Sequence, residues 1–457
     1  MLFNDLNFLF VFLPLVTVCT LWLIPRRFRI YLLIGVSFVF YGQSGWEHAL
    51  MLFLSIIWVH FITRDPTMKG SRWRLILAIF FPACSLLYFK YANFVLHDIL
   101  LLEINDEDGS FKLFRDALLP AGISFFTFQL IGFAIDRYRG LFPQVPSLKT
   151  ILLYVSFFPQ LIAGPIVRLP QVSEAISKLS TFRPNQEDWN KALGYISIGL
   201  GYKVLIADSL HHYLVPIIRT PEIMGLSGMG YLVTAYSFQI YFDFYEYSLI
   251  AIGLGHLFGF TLPVNFRTPY AALNPQDFWR RWHISLSYWI RDYLYLPLGG
   301  NRHYVRNIFF VFAVCGLWHG AGFSFIVWGL FHGMIVITYY LTANIWDRAP
   351  KAVQWATTFF LVSFAWLLFA FEFADLSRAI ASVWQLGLAQ GAEVTLEMML
   401  FVLVAAAVCF FVKAEAVAEG FHKTTVGSFA WGGLLGTVFF LSLLFVDRSE
   451  TFIYFRF

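Results

Sequence analysis

The feature that most limits what this chain can become is the repetition of uncharged, apolar runs along its whole length. They recur near residues 6–24, 30–42, 47–63, 73–89, 91–102, 117–135, 148–167, 193–210, 228–244, 246–262, 307–321, 323–342, 352–372, 398–412 and 428–446. Many approach the roughly 20 residues that cross about 30 Å of hydrocarbon as a helix. In that medium every backbone N–H and C=O must be satisfied inside the protein. Composition removes the soluble alternative, because 59% of the residues are hydrophobic and only 13% charged, against roughly 45–50% and 25% in soluble domains. The expected fold is an all-α, polytopic integral membrane bundle of about 10 to 12 transmembrane helices. Re-entrant and interfacial pieces are expected where runs such as 30–42, 148–167 and 307–321 are short or broken by Gly and Pro. Residues 1–457 read as a single membrane domain, with 263–306 a cytoplasmic-side interfacial segment within it.

The short basic loops set the orientation, since Lys and Arg are retained on the cytoplasmic side. Arg26, Arg27 and Arg29, then Arg64, Lys69, Arg72 and Arg74, then Arg137 and Arg139 follow apolar runs. The acidic stretch Glu103 to Asp116 suits the outer face, which puts the N-terminus outside the cytoplasm. Residues 137–149 and 168–191 are both basic, so the run between them, broken at Pro159 and Pro165, reads as a re-entrant hairpin. The first run has its arginines after it and reads as a retained span, not a signal peptide. Cys19, Cys84, Cys315 and Cys409 sit inside apolar runs without ligand spacing, so neither a disulfide framework nor a metal is expected.

The polar island Pro263 to Arg306 carries Arg267, Arg280, Arg281, Arg291, Arg302 and Arg306 against Asp277 and Asp292. Within it Phe278, Trp282, Leu286, Trp289 and Tyr293 fall on one helical stripe, which predicts one helix lying at the cytoplasmic interface. His283 falls about 140° from Phe278 on such a helix, at the border of the stripe. The arginines either anchor topology or form a collar for a polyanionic cytoplasmic substrate, since guanidinium grips phosphate bidentately. Pro297 to Arg302 is expected to be a glycine turn.

His319 lies in Gly316-Leu317-Trp318-His319-Gly320, inside a stretch from Ile308 to Phe331 with no charged side chain. An ionisable residue at membrane depth points to function, and a neutral imidazole can accept a proton near working pH. A histidine bonded to a neighbouring helix is the alternative. His332 lies about 220° round from His319 on an ideal helix, so the two share no face if that helix is continuous. For His332, His48, His60, His256 and His422, packing is the expected role.

Residues Asn274 to Arg302 (NPQDFWRRWHISLSYWIRDYLYLPLGGNR) and GLWHG at Gly316 to Gly320 resemble the alginate O-acetyltransferase branch of the membrane-bound O-acyltransferase superfamily. GISFFTFQ from Gly122, FFPQLIAGPIVR from Phe157, AIGLGHLFGF from Ala251 and the terminal FIYF from Phe452 resemble it too. The resemblance implies a bundle thinned at its centre by a funnel or tunnel, with the acyl donor arriving from the cytoplasm. It implies His319 and His283 as catalytic residues, with His319 as general base and His283 orienting or assisting. Acetyl-CoA is then the donor substrate, with no bound cofactor, and Arg280, Arg281, Arg291 and Trp318 are the expected donor-binding residues. The expected partners are extracytoplasmic polysaccharide acetylation proteins, an exported polysaccharide and membrane lipids, with no nucleic acid, at the bacterial inner membrane. One segment departs from the branch: where relatives read close to DFSGYSD, this chain has Asp243-Phe244-Tyr245-Glu246-Tyr247-Ser248-Leu249. A transporter or flippase for a glycan, or an acyltransferase for a lipid or protein, are the rival readings.

Overall fold

The structure, a computed structural model, describes residues 3–101, 119–142, 144–387, 391–420 and 425–448. The described residues form helices and connecting turns, with no strand among them. They divide into two compact units, Met1–Leu193 with Ile250–Pro263, and Gly194–Leu249 with Val264–Phe457. Six helices among the described residues are long and apolar enough to cross a membrane by themselves. The acidic stretch Glu103 to Asp116 and the terminal FIYF lie outside the described residues.

The first unit holds α1 (Phe8–Leu23), α2 (Arg29–Gly42), α3 (Trp46–Thr63), α4 (Arg72–Tyr91), α5 (Ile123–Arg139), α6 (Leu148–Ser156) and α7 (Leu169–Lys178). After α6 the chain breaks at Phe157 and Pro159, and the freed backbone is buried by protein. Phe158 N–H donates to Ser37 Oγ (3.1 Å), Gln160 Nε2 to the Tyr154 carbonyl (2.6 Å), and Tyr154 Oη to the Val167 carbonyl (3.0 Å). Broken backbone at membrane depth needs such partners. Two of the resemblance motifs meet here: a Cβ on Gly122, whose φ is +72°, would lie 2.6 Å from the Leu161 carbonyl oxygen. Arg29, read from sequence as a topology anchor, is buried and donates to the carbonyls of Phe182 (2.6 Å) and Leu21 (2.8 Å). It thereby joins two segments that the charge pattern assigns to the same side.

Next comes α8 (Gln186–Arg219), whose turn Gly201–Ala207 is π-helical, and then α9 (Gly225–Phe258). The runs 228–244 and 246–262, separate in the sequence reading, are one 34-residue helix. Glu246, the first residue of the second run, lies inside that helix and is buried beside other charges. Lys203, on the π turn, donates to Asp208 Oδ1 (2.8 Å) and Asp243 Oδ1 (2.7 Å), with Glu246 in the same electrostatic group.

The second unit continues with α10 (Pro275–Arg281), α11 (Ile284–Ile290), α12 (Tyr304–His319), α13 (Phe323–Trp346), α14 (Lys351–Ala370), α15 (Phe373–Leu386), α16 (Leu396–Phe411) and α17 (Thr425–Phe445). The single interfacial helix expected across Phe278 to Tyr293 is two helices broken at Trp282-His283. Helices α12 and α13 form a tight hairpin. A Cβ on Gly316 would lie 2.1 Å from the Phe325 carbonyl oxygen, and one on Gly329 2.1 Å from that of Phe312. Small residues let helix backbones approach this closely.

Candidate active site

The site is built in the second unit from the α10–α11 break and the α12–α13 hairpin. Helix α10 starts where Asn274 caps it, its side chain accepting the Asp277 N–H at 2.7 Å, with Pro275 in the first turn. It stops at Arg281. Trp282 is extended, and His283 takes a left-handed backbone with φ +42° and ψ +55°. For a residue with a Cβ that conformation costs about 1–2 kcal/mol, so the surrounding structure must impose it. The consequence is directional: His283 leaves the helical stripe altogether and is fully buried, so the helical arithmetic that put it at the stripe's border does not apply.

His319 is the last residue of α12, whose buried face runs Asn307, Val311, Phe312, Cys315, Gly316, Trp318 and His319. Gly320, extended, ends the helix there, and a Cβ on it would lie 2.2 Å from the Phe325 ring. The two histidines converge. Their ring centroids are 6.4 Å apart, and the Trp318 indole lies 5.8 Å from His283 and 5.0 Å from His319. Phe244 of α9 stands edge-on to His283 at 4.7 Å, while Trp328 and Phe369 stand edge-on to His319 at 5.0 and 5.4 Å. His283 sits between two short helices, outside the spanning segments, and burial pushes its pKa down to about 3. It is therefore a neutral imidazole, able to accept a hydrogen bond, packed among largely aromatic side chains.

Of the residues singled out in the sequence, the structure brings together His283, Trp318 and His319. The arginines stand elsewhere on the same segment. Arg280 and Arg291 are exposed and Arg281 is half-buried. Arg281 Nε pairs with Asp277 (3.0 Å), Arg291 Nε with Asp292 (2.6 Å), and Arg280 donates to Gln276 (3.3 Å). The turn Pro297 to Arg302 forms as expected, with Gly299 and Gly300 at positive φ and Asn307 Nδ2 bonded to the Gly300 carbonyl (2.8 Å). His332 is fully buried among aromatic rings. Because the helix is interrupted at Gly320 to Gly322, the continuous-helix condition fails, and one indole, Trp328, contacts both His332 (4.7 Å) and His319 (5.0 Å). Among the described residues no group of three or more His, Cys, Asp or Glu could hold a metal.

The sequence profile described as MBOAT, membrane-bound O-acyltransferase family, matches residues 137–374, a span that takes in the whole α10–α13 region. The chain belongs to the membrane-bound O-acyltransferase family. It is 38% identical over 390 residues to a probable alginate O-acetylase AlgI of Pseudomonas aeruginosa, covering 81% of this chain and 72% of that protein. It is 34% identical over 420 residues to a peptidoglycan O-acetyltransferase of Helicobacter pylori (81% and 77% covered). It is 25% identical over 379 residues to a teichoic acid D-alanyltransferase of Streptococcus thermophilus (77% and 85% covered). The likeness read from the motifs, to the alginate branch, accords with these identities. The protein is an integral membrane O-acyltransferase, and the convergent histidines lie within the part of the chain that the family profile matches.

The departure at Tyr245 and Glu246 also has a physical account in this O-acyltransferase. Tyr245 is buried and its hydroxyl donates to Glu415 Oε1 at 2.5 Å, so the added bulk is tied to a partner. Sequence reasoning missed Phe244, Trp328 and Phe369 as the rings packed around the histidine pair.

Proposed function

We propose that this O-acyltransferase moves an acetyl group from cytoplasmic acetyl-CoA toward an exported, alginate-like polysaccharide, working with extracytoplasmic partner proteins in the bacterial inner membrane. The observation that carries the reading is the pair of buried imidazoles, His283 and His319, 6.4 Å apart with Trp318 against both. The names of the alginate and peptidoglycan relatives support a glycan acceptor.

In the proposed step His319 takes the proton of the acceptor hydroxyl as that oxygen bonds to the thioester carbonyl carbon. The carbon–sulfur bond then breaks, and the proton passes to the departing sulfur, so that CoA leaves as the thiol and the imidazole ends neutral. His283, neutral in its buried setting, orients or assists. General acid–base catalysis of this kind contributes about 10²- to 10⁴-fold. Arg280, Arg281 and Arg291 receive the CoA phosphates, and Trp318 lines the donor's approach. A phosphate accepts the same charge-assisted bonds from guanidinium that Asp292 and Asp277 now accept from Arg291 and Arg281.

Purified protein given acetyl-CoA labelled in the acetyl group tests the reading. Free CoA and label on glycan or on a partner protein should appear together. Label recovered only in lipid, or no CoA release with glycan and partners present, would contradict it.

A further inference from the structure

We propose that Asn265 is a positioning residue that sets the backbone of His283 and so aims its imidazole at His319; the inference rests on the proposed role of the histidine pair. A residue at the start of a helix ordinarily caps it, its side chain accepting an N–H from the first turn. His283 stands at that place for α11 and makes no such bond. The capping is done from elsewhere in the chain. Asn265 Oδ1 accepts the Ser285 N–H (3.2 Å) and the Asn265 main-chain carbonyl accepts the Ile284 N–H (2.9 Å), satisfying two donors of the first turn.

The same short strap holds the other side of the break. The Arg267 N–H donates to the Arg281 carbonyl (3.0 Å), so Trp282 and His283 are bracketed by backbone bonds at 281 and 284. Asn265 is itself fully buried, and its Nδ2 donates to Ser248 Oγ on α9 (3.1 Å). Ser248 is one turn beyond Phe244, the ring that stands against His283. One asparagine thus ties the His283 turn to the helix that walls it, using its carbonyl, its amide oxygen and its amide nitrogen. Because Asn265 caps α11, the His283 side chain is not needed at the helix end and packs against Phe244, Trp318 and His319. The strained left-handed backbone persists only where the surroundings dictate it, and these are the bonds that do so.

The test is a double-mutant cycle on the full-length purified enzyme in the labelled acetyl-CoA assay. Asn265→Ala removes both side-chain bonds and should lower kcat by about 10²-fold, as misplacement of an assisting group by about 1 Å does. KM for acetyl-CoA should stay within about threefold of the parent, since donor contacts are untouched. Asn265→Asp keeps an acceptor for Ser285 and can accept from the Ser248 hydroxyl, at a helix N-terminus that favours negative charge. It should retain turnover within about threefold of the parent if positioning is what matters. In a His283→Gln background, Asn265→Ala should cost less than about threefold more, because two residues acting through one imidazole are not additive. Equal losses from Asn265→Ala in both backgrounds would overturn the inference. Should Asn265→Ala fail to fold, or His283→Gln leave no measurable rate, Asn265→Asp decides: turnover within threefold of the parent supports the inference and any larger loss overturns it. A His319→Gln enzyme that keeps its turnover would sink the base assignment yet leave the coupling between 265 and 283 standing.

Discussion

A buried imidazole whose pKa is pushed down to about 3 stays neutral throughout the range in which an enzyme of this kind works. The unfolded chain takes up that proton near pH 6.5, so the stability His283 contributes is complete above about pH 6.5 and is lost as pH falls toward 3. For catalysis the consequence is that His283 supplies no titration near neutrality. His283→Gln should lower turnover while leaving the midpoint of the acid limb of the kcat/KM profile in place; a moved midpoint would show that His283 titrates in the working range. At this scale the sequence exposed both histidines, His319 because it is the ionisable side chain in an uncharged stretch. It did not expose Phe244, Trp328 or Phe369, because with aromatic residues at 20% of the chain no single ring stands out. Nor could periodicity reveal the left-handed backbone at His283, which is imposed by Asn265 from outside the helical pattern.

Helix pairs in this protein are set by glycines and by buried charge. Gly316→Ala would drive a methyl to 2.1 Å from the Phe325 carbonyl oxygen, and overpacking of that sort costs about 1–3 kcal/mol or more. Melting in detergent should fall clearly for Gly316→Ala and hardly at all for Gly432→Ala, where a Cβ meets nothing within 4 Å; equal shifts would mean that the hairpin contact is not tight. Lys203 is the cation between Asp208 and Asp243, and removing one partner of a buried pair costs about 3–5 kcal/mol. Lys203→Met should therefore melt well below the parent, and adding Asp243→Asn should recover part of the loss; no recovery would show that the lysine acts independently of Asp243. In the sequence Lys203 lies within one apolar run and Glu246 at the start of another, and nothing local joins them. The charges meet through packing of helices about 40 residues apart in the chain, a relation that no local pattern carries.

At the scale of the whole molecule, the membrane class and the all-helical architecture were legible because hydrocarbon leaves a chain so few ways to satisfy its backbone. The number of helices was less so. Gly and Pro interruptions, π turns and buried charges divide or fuse apolar runs without changing their hydropathy, as in the fusion of two runs into α9. In the proposed mechanism of this integral membrane O-acyltransferase, His319 at the end of α12 is the general base. His319→Gln keeps a neutral side chain of similar size but no nitrogen that takes up a proton near pH 7. The direct measurement is turnover of the purified variant with acetyl-CoA, alongside its CoA affinity and melting behaviour. Turnover should fall by about 10² or more with affinity and melting close to those of the parent, whereas retention of more than about a tenth of parental turnover, less loss than general-base catalysis allows, would contradict the assignment and shift the base role to His283.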